Sequence, residues 1–361
     1  MLYLLCMFLK FIKKINIKYL ILIFILILFC ILFFIIKSQK NLPILLLNQN
    51  ILDINNLIVP DDNFILFNKN KFKQIVIEKN VKTAIDTLKK ETEIDVQVLA
   101  ICHDILHQIG HTSFHKYKNL TQVLLFQDDF CNSGYLHGVF EEYFTSSNDA
   151  IKELPKVCEK TFSRKFDHWQ CYHGMGHGLM YFTGGDLDKS LVLCKDMLNT
   201  EENKNYCYNG VYMEIFNTQI LAKEINFVDK NDPSLICFNR NIDKESCYFY
   251  LPTYFNQTLN ITYINIFEKC NELVESKYKK ICISGVGSEA LKRNSDKVKE
   301  VFNLCRQASG YFNEIACVYG MVGISLNQNA SIEAAQKLCK EAPIIYRFSC
   351  NKKVKKFNYL F

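Results

Sequence analysis

The sequence predicts an all-α protein: an α-solenoid of helix-turn-helix repeats of about 35 residues, each stapled by a disulfide, preceded by one N-terminal transmembrane helix. Three observations carry that reading. Tyr19 to Ile36, "YLILIFILILFCILFFII", is a run of eighteen apolar residues without a charge. Twelve cysteines fall into six pairs that recur about every 35 residues, and apolar residues precede each first cysteine at helical intervals.

The apolar run is long enough to span a bilayer. Lys10, Lys13, Lys14 and Lys18 precede it, whereas only Lys37 and Lys40 follow closely before Lys69. That asymmetry predicts a cytoplasmic N-terminus and an extracytoplasmic body, with residues 1–18 as a cytoplasmic basic flank and residues 19–36 as the membrane anchor. A cleaved signal peptide is the alternative. The run is longer than a usual signal-peptide core, however, and "KSQKNLPILLL" after it has no small-residue cleavage site. Residues 37–75 hold apolar pieces between Asn and Asp clusters and are expected to form a linker or packed arm. Residues 76–150 form histidine-rich N-terminal helical units, with an amphipathic helix expected from Ile75 to Glu93 and a longer one from Ile94 to His115. Residues 151–361 are the cysteine-rich helical repeats.

Of the sixteen cysteines, Cys6 and Cys30 lie in or before the anchor and fourteen lie between Cys102 and Cys350. A dense, even set beyond an anchor reads as a disulfide framework on the oxidising side of a membrane. The absence of C-x-x-C argues against cytosolic zinc knuckles, and the absence of C-x-x-C-H excludes haem c. The net charge of +6 does not imply nucleic acid, since 38 of the 43 basic residues are lysines without a long basic block beyond the N-terminal flank.

The six pairs are Cys158/Cys171, Cys194/Cys207, Cys237/Cys247, Cys270/Cys282, Cys305/Cys317 and Cys339/Cys350. Their first members advance by 36, 43, 33, 35 and 34 residues, the long step containing "NTQILAKEINFVDKNDPS". Cys102 and Cys131 are counted with the disulfide cysteines. Glycine follows the second cysteine by three residues at Gly174, Gly210, Gly285 and Gly320, and Cys131/Gly134 extends the pattern upstream. A bridge closing a loop of about 12 residues contributes on the order of 3 kcal/mol by chain entropy, and glycine one turn beyond it lets two backbones approach. Over roughly residues 150–361 this pattern resembles the tetratricopeptide class and, more closely, secreted helical cysteine-rich repeat proteins with one disulfide per helix pair. No W-x-x-L-G-x-x-Y signature is present, so the resemblance implies shape and not activity.

All eight histidines lie between His103 and His177. In "CHDILHQIGHTSFH" they stand four apart, one stripe of a helix. His137, with Glu141 one turn later, lies six residues after Cys131, and His177 lies six after Cys171. Met213, Thr253, Ser288 and Gly323 hold that offset in later units. Neighbouring units therefore present His107, His137, His173 and His177 to one site, with His103, Glu141 or Glu214 as a fifth ligand or supporting group. Imidazole-rich sites suit zinc, iron or copper. A polar site without metal, or ordinary packing, is the competing reading, and His111, His115 and His168 are assigned to hydrogen-bonded or solvent-exposed positions.

No glutamate stands in an H-E-x-x-H arrangement, and no nucleotide-binding or serine-hydrolase motif occurs. Two functions follow: a membrane-anchored extracytoplasmic protein with a metal-binding histidine site of unknown activity, or a non-catalytic scaffold whose solenoid surface takes protein, peptide or glycan partners.

Overall fold

Polar caps mark where the helices begin. Asp61, Asn80, Asp95, Asn119, Asp186 and Ser331 each precede a helix and accept a backbone N–H from its first turn. The computed structural model describes residues 61–147, 149–217 and 232–360, with Leu26 and Leu28. The remaining residues of the expected anchor 19–36, the arm up to residue 60 and most of the insertion after Asn217 lie outside the described residues. Among the described residues there is no strand, and no helix is long and apolar enough to cross a membrane.

The first helices are α1 (Asp62–Glu78), α2 (Val81–Ile94), α3 (Val96–Ala100) and α4 (Cys102–Tyr117). Two expectations are corrected here. The helix expected from Ile75 to Glu93 is divided, because the Asn80 side chain accepts from Thr83 and starts a new helix. The helix expected from Ile94 to His115 breaks at Asp95, whose carboxylate takes the N–H groups of Gln97 and Val98, and again at Ile101. Short side-chain acceptors offer the backbone an alternative to continuing the ladder. Part of the expected arm is helix α1, which buries Ile65, Phe72 and Val76 and packs on α4.

After α5 (Leu120–Leu124) and α6 (Phe130–Ser146) come, among the described residues, six helix pairs. They are α7 (Ala150–Thr161) with α8 (Lys165–Phe182), α9 (Leu187–Met197) with α10 (Glu201–Asn217), and α11 (Leu235–Phe238) with α12 (Lys244–Gln257). The others are α13 (Tyr263–Glu272) with α14 (Ser276–Arg293), α15 (Val298–Cys305) with α16 (Tyr311–Asn329), and α17 (Ile332–Glu341) with α18 (Ile344–Phe357), followed by a 3₁₀ turn at Asn358–Leu360. One disulfide joins the members of each pair: Cys158–Cys171, Cys194–Cys207, Cys237–Cys247, Cys270–Cys282, Cys305–Cys317 and Cys339–Cys350. A seventh, Cys102–Cys131, ties α4 to α6 across 29 residues.

The second members pack on one another in order: α6 on α8, then α10, α12, α14 and α16. An open stack would keep its ends apart. Here α16 returns to α6, and Arg293 at the end of α14 donates to the carbonyl of Ala100 at 3.2 Å. These helices, with α18 and the 3₁₀ turn, line a cavity of about 230 Å³, to which α7, α9, α11, α13, α15 and α17 contribute no side chain. The start of α6 is unusual, because Cys131, Asn132 and Ser133 all have left-handed backbones with φ of 50, 60 and 53°. Such a conformation costs L-residues roughly 1–2 kcal/mol each.

Candidate metal centre

Helices α4, α6, α8 and α10 bring the histidines together. His103, His107 and His111 run down one stripe of α4, since residues four apart share a helix face. Glycine permits close crossings: a Cβ on Gly138 of α6 would stand 2.1 Å from the carbonyl oxygen of His107, and one on Gly210 of α10 would stand 1.9 Å from that of His173. Backbones at that separation carry short imidazoles and carboxylates into one space.

The arrangement has oxygens behind and nitrogens within. Nδ1 of His103 donates to the Cys131 carbonyl at 2.8 Å, so the left-handed turn at α6 sets that ring's orientation. Nδ1 of His107 faces Glu141 Oε1 at 2.8 Å, and Nδ1 of His177 faces Glu214 Oε2 at 2.6 Å. Each ring then turns Nε2 inward. His103 and His107 meet Nε2 to Nε2 at 3.0 Å, and His173 and His177 do so at 3.1 Å. His137 sits between these pairs, fully buried, its ring stacked on that of His177 with centroids 4.6 Å apart. Neither nitrogen of His137 makes a hydrogen bond.

Burial disfavours the charged form of four of these rings, His103, His137, His173 and His177. It pushes His103, His137 and His177 well below the ordinary histidine value, with His107 adding to the effect on His103, and His177 and His173 adding to that on His137. His173 is pushed down to about 3 by burial, against the opposing influence of Asn209. Burial also raises the Glu214 carboxyl well above its usual range, and the nearby Glu141 adds to this. Glu141 is driven the other way: despite burial, His107 and His111 keep it ionised.

The structure therefore brings together His103, His107, His137, His173, His177, Glu141 and Glu214. Three groups of ligand atoms lie within 4.8 Å of one another: His103/His107/His137, His137/His173/His177 and His107/Glu141/His177. Two nitrogens sharing one tetrahedral zinc at about 2.05 Å stand about 3.3 Å apart, close to the two Nε2–Nε2 separations. Oxygen partners behind ligating histidines are the arrangement that fixes their tautomer and orientation. These buried groups can hold a metal ion.

Three contributions were not legible in the sequence. His111, assigned to an ordinary position, bonds Glu141 at 2.7 Å and Glu142 at 3.1 Å; though burial opposes it, these carboxylates raise its pKa to about 9. His115 is exposed and reaches Glu142 at 2.9 Å, and His168 is partly buried beside Tyr172. The Cys131 carbonyl is the second contribution. The third is the cavity, which reaches the cluster at His173. The spacing of His111 on the α4 stripe was the one available signal. No family model matches the chain, and neither a curated protein nor a solved structure matches it.

Proposed function

We propose that this is a membrane-anchored extracytoplasmic protein of disulfide-stapled helical repeats whose histidine centre holds a transition metal, zinc, iron or copper. The seven disulfides fit an oxidising extracytoplasmic environment. The run 19–36, with lysines on its N-terminal side, supplies the single-pass anchor. The observation that carries the metal reading is His137: a fully buried ring with two unpartnered nitrogens, surrounded by four further imidazoles. A buried polar group without a partner costs about 1–3 kcal/mol, and an ion removes that cost for the nitrogen it binds.

His103, His107, His137, His173 and His177 would hold the ion, with Glu141 and Glu214 orienting two of the rings or ligating directly. A bound ion of this kind polarises oxygen groups or lowers the pKa of a coordinated water. The chain's own part is to aim the ring nitrogens inward and, by burial, to disfavour protonation of His103, His137, His173 and His177. Elemental analysis of the oxidised, detergent-solubilised full chain tests this, alongside the His137→Ala/His177→Ala double variant. Stoichiometric metal in the wild type, lost in the variant, supports the centre. A metal-free wild type that metal addition does not stabilise leaves the scaffold function instead.

A further inference from the structure

The cavity has a chemistry of its own. Its aromatic walls include Trp169 of α8, Phe249 of α12 and Tyr319 of α16. Lys292 and Lys353 also line it, and its one carboxylate, Glu289, is occupied by Arg293 at 3.0 Å, Gln257 at 2.6 Å and Thr253 at 3.1 Å. Lys353 lies over the rings of Tyr319 and Phe357 at 5.2 and 4.9 Å. Lys292 is different: among the described residues it has no ion pair within 4 Å and no hydrogen bond. Its half-buried ammonium is pushed below the ordinary lysine value by burial and by the adjacent Arg293. Glu289 and Asp104 act favourably on this ammonium only from beyond ion-pair distance, so it has no contact counter-ion, and taking a charge out of water without one is costly. Asn132, in the left-handed turn of α6, and Asn327 both line the cavity, and each has an unpartnered buried Oδ1.

We propose that the cavity is a binding site for a small organic anion with an apolar body, its carboxylate paired with Lys292 and its body packed against Trp169, Phe249 and Tyr319. The two unpartnered amide oxygens suit hydroxyl or amine donors on such a molecule. The site is distinct from the metal centre, with which it shares only His173, and does not depend on metal being bound.

Trp169 is the only tryptophan of the chain and lines the cavity, so its fluorescence reports occupancy directly. The full chain in an uncharged detergent is titrated with 3-phenylpropionate and with its neutral counterpart 3-phenylpropan-1-ol, before and after chelator treatment. The expected result is a saturable response to the acid, with the alcohol binding about tenfold or more weakly. Lys292→Gln should abolish the acid's advantage and Lys292→Arg should keep it, both variants retaining the wild-type helical circular dichroism. Equal binding of acid and alcohol, unchanged acid affinity in Lys292→Gln, or no saturation below about 10 mM overturns the assignment. Acid binding that vanishes on chelation also overturns it, because the anion would then sit on the metal. Acid binding that persists in a protein without metal supports the cavity site while the metal reading fails.

Discussion

His137→Leu should move stability in opposite directions depending on metal. In the metal-free chain the ring is fully buried and neither nitrogen is bonded. A neutral imidazole has one donor and one acceptor, and each group left unpartnered costs about 1–3 kcal/mol. Leucine removes both, returning roughly 2–6 kcal/mol, while the change of shape in a packed site takes back about 1–1.5 kcal/mol. The metal-free variant should therefore be more stable than the metal-free wild type by about 0.5–5 kcal/mol. Metal reverses the order: at a thousand times its dissociation constant an ion stabilises the wild type by about 4 kcal/mol, and the variant loses that gain. Urea denaturation of the full chain in detergent, followed by circular dichroism with chelator and with zinc, reads both. A variant destabilised without metal by 2 kcal/mol or more, beside a wild type indifferent to zinc, would mean that His137 is ordinary packing.

Three further outcomes follow from the same geometry. Gly138→Ala places a methyl group 2.1 Å from the His107 carbonyl oxygen and should cost about 2–4 kcal/mol and weaken metal binding, whereas Gly323→Ala, with open space at its Cβ, should be neutral or slightly stabilising; denaturation midpoints and metal titration compare the two. In metal-free protein His103, His137, His173 and His177 are held below the ordinary value, so the unfolded chain binds more protons on acidification. Stability present above about pH 6.5 should then fall by roughly 1.4 kcal/mol per pH unit for each ring, offset by one such increment from Glu214, whose raised carboxyl acts in the opposite sense. Urea midpoints that stay flat between about pH 6.5 and pH 5 would contradict this. Replacing Cys270 and Cys282 together by alanine should cost on the order of 3 kcal/mol for the lost 12-residue closure, and peptide mapping under non-reducing conditions should recover the remaining intra-pair bridges.

The six bridges were legible because each closes a short loop between neighbouring helices, so sequence distance stood in for spatial distance. The Cys102–Cys131 bridge spans 29 residues and crosses a whole helix, α5, and spacing alone does not carry that pairing. The helix breaks at Asn80 and Asp95 were missed for a related reason. Both sit inside amphipathic stretches, where apolar periodicity continues across a cap, and only the side-chain hydrogen bonds to Thr83, Gln97 and Val98 show that the ladder has restarted. The return of α16 to α6 is a contact between helices far apart in the sequence, and no local pattern encodes it.

The histidine set was legible through register. Six residues after the second cysteine, the chain carries His137 and His177 in early units, then Met213, Thr253, Ser288 and Gly323 in later ones. The two histidines point into the cluster, and the four later residues line the cavity. One helix position thus serves both sites, and its residue type decides which: imidazole where α4 supplies further rings, small or uncharged groups where an open chamber is left. His111 escaped because its partner, Glu141, lies on another helix and was read only against His137 on its own. His173 belongs to both the cluster and the cavity: its Nε2 faces His177 at 3.1 Å, and the residue also lines the cavity. It is therefore the residue through which an anion in the cavity and an ion among the histidines would feel one another.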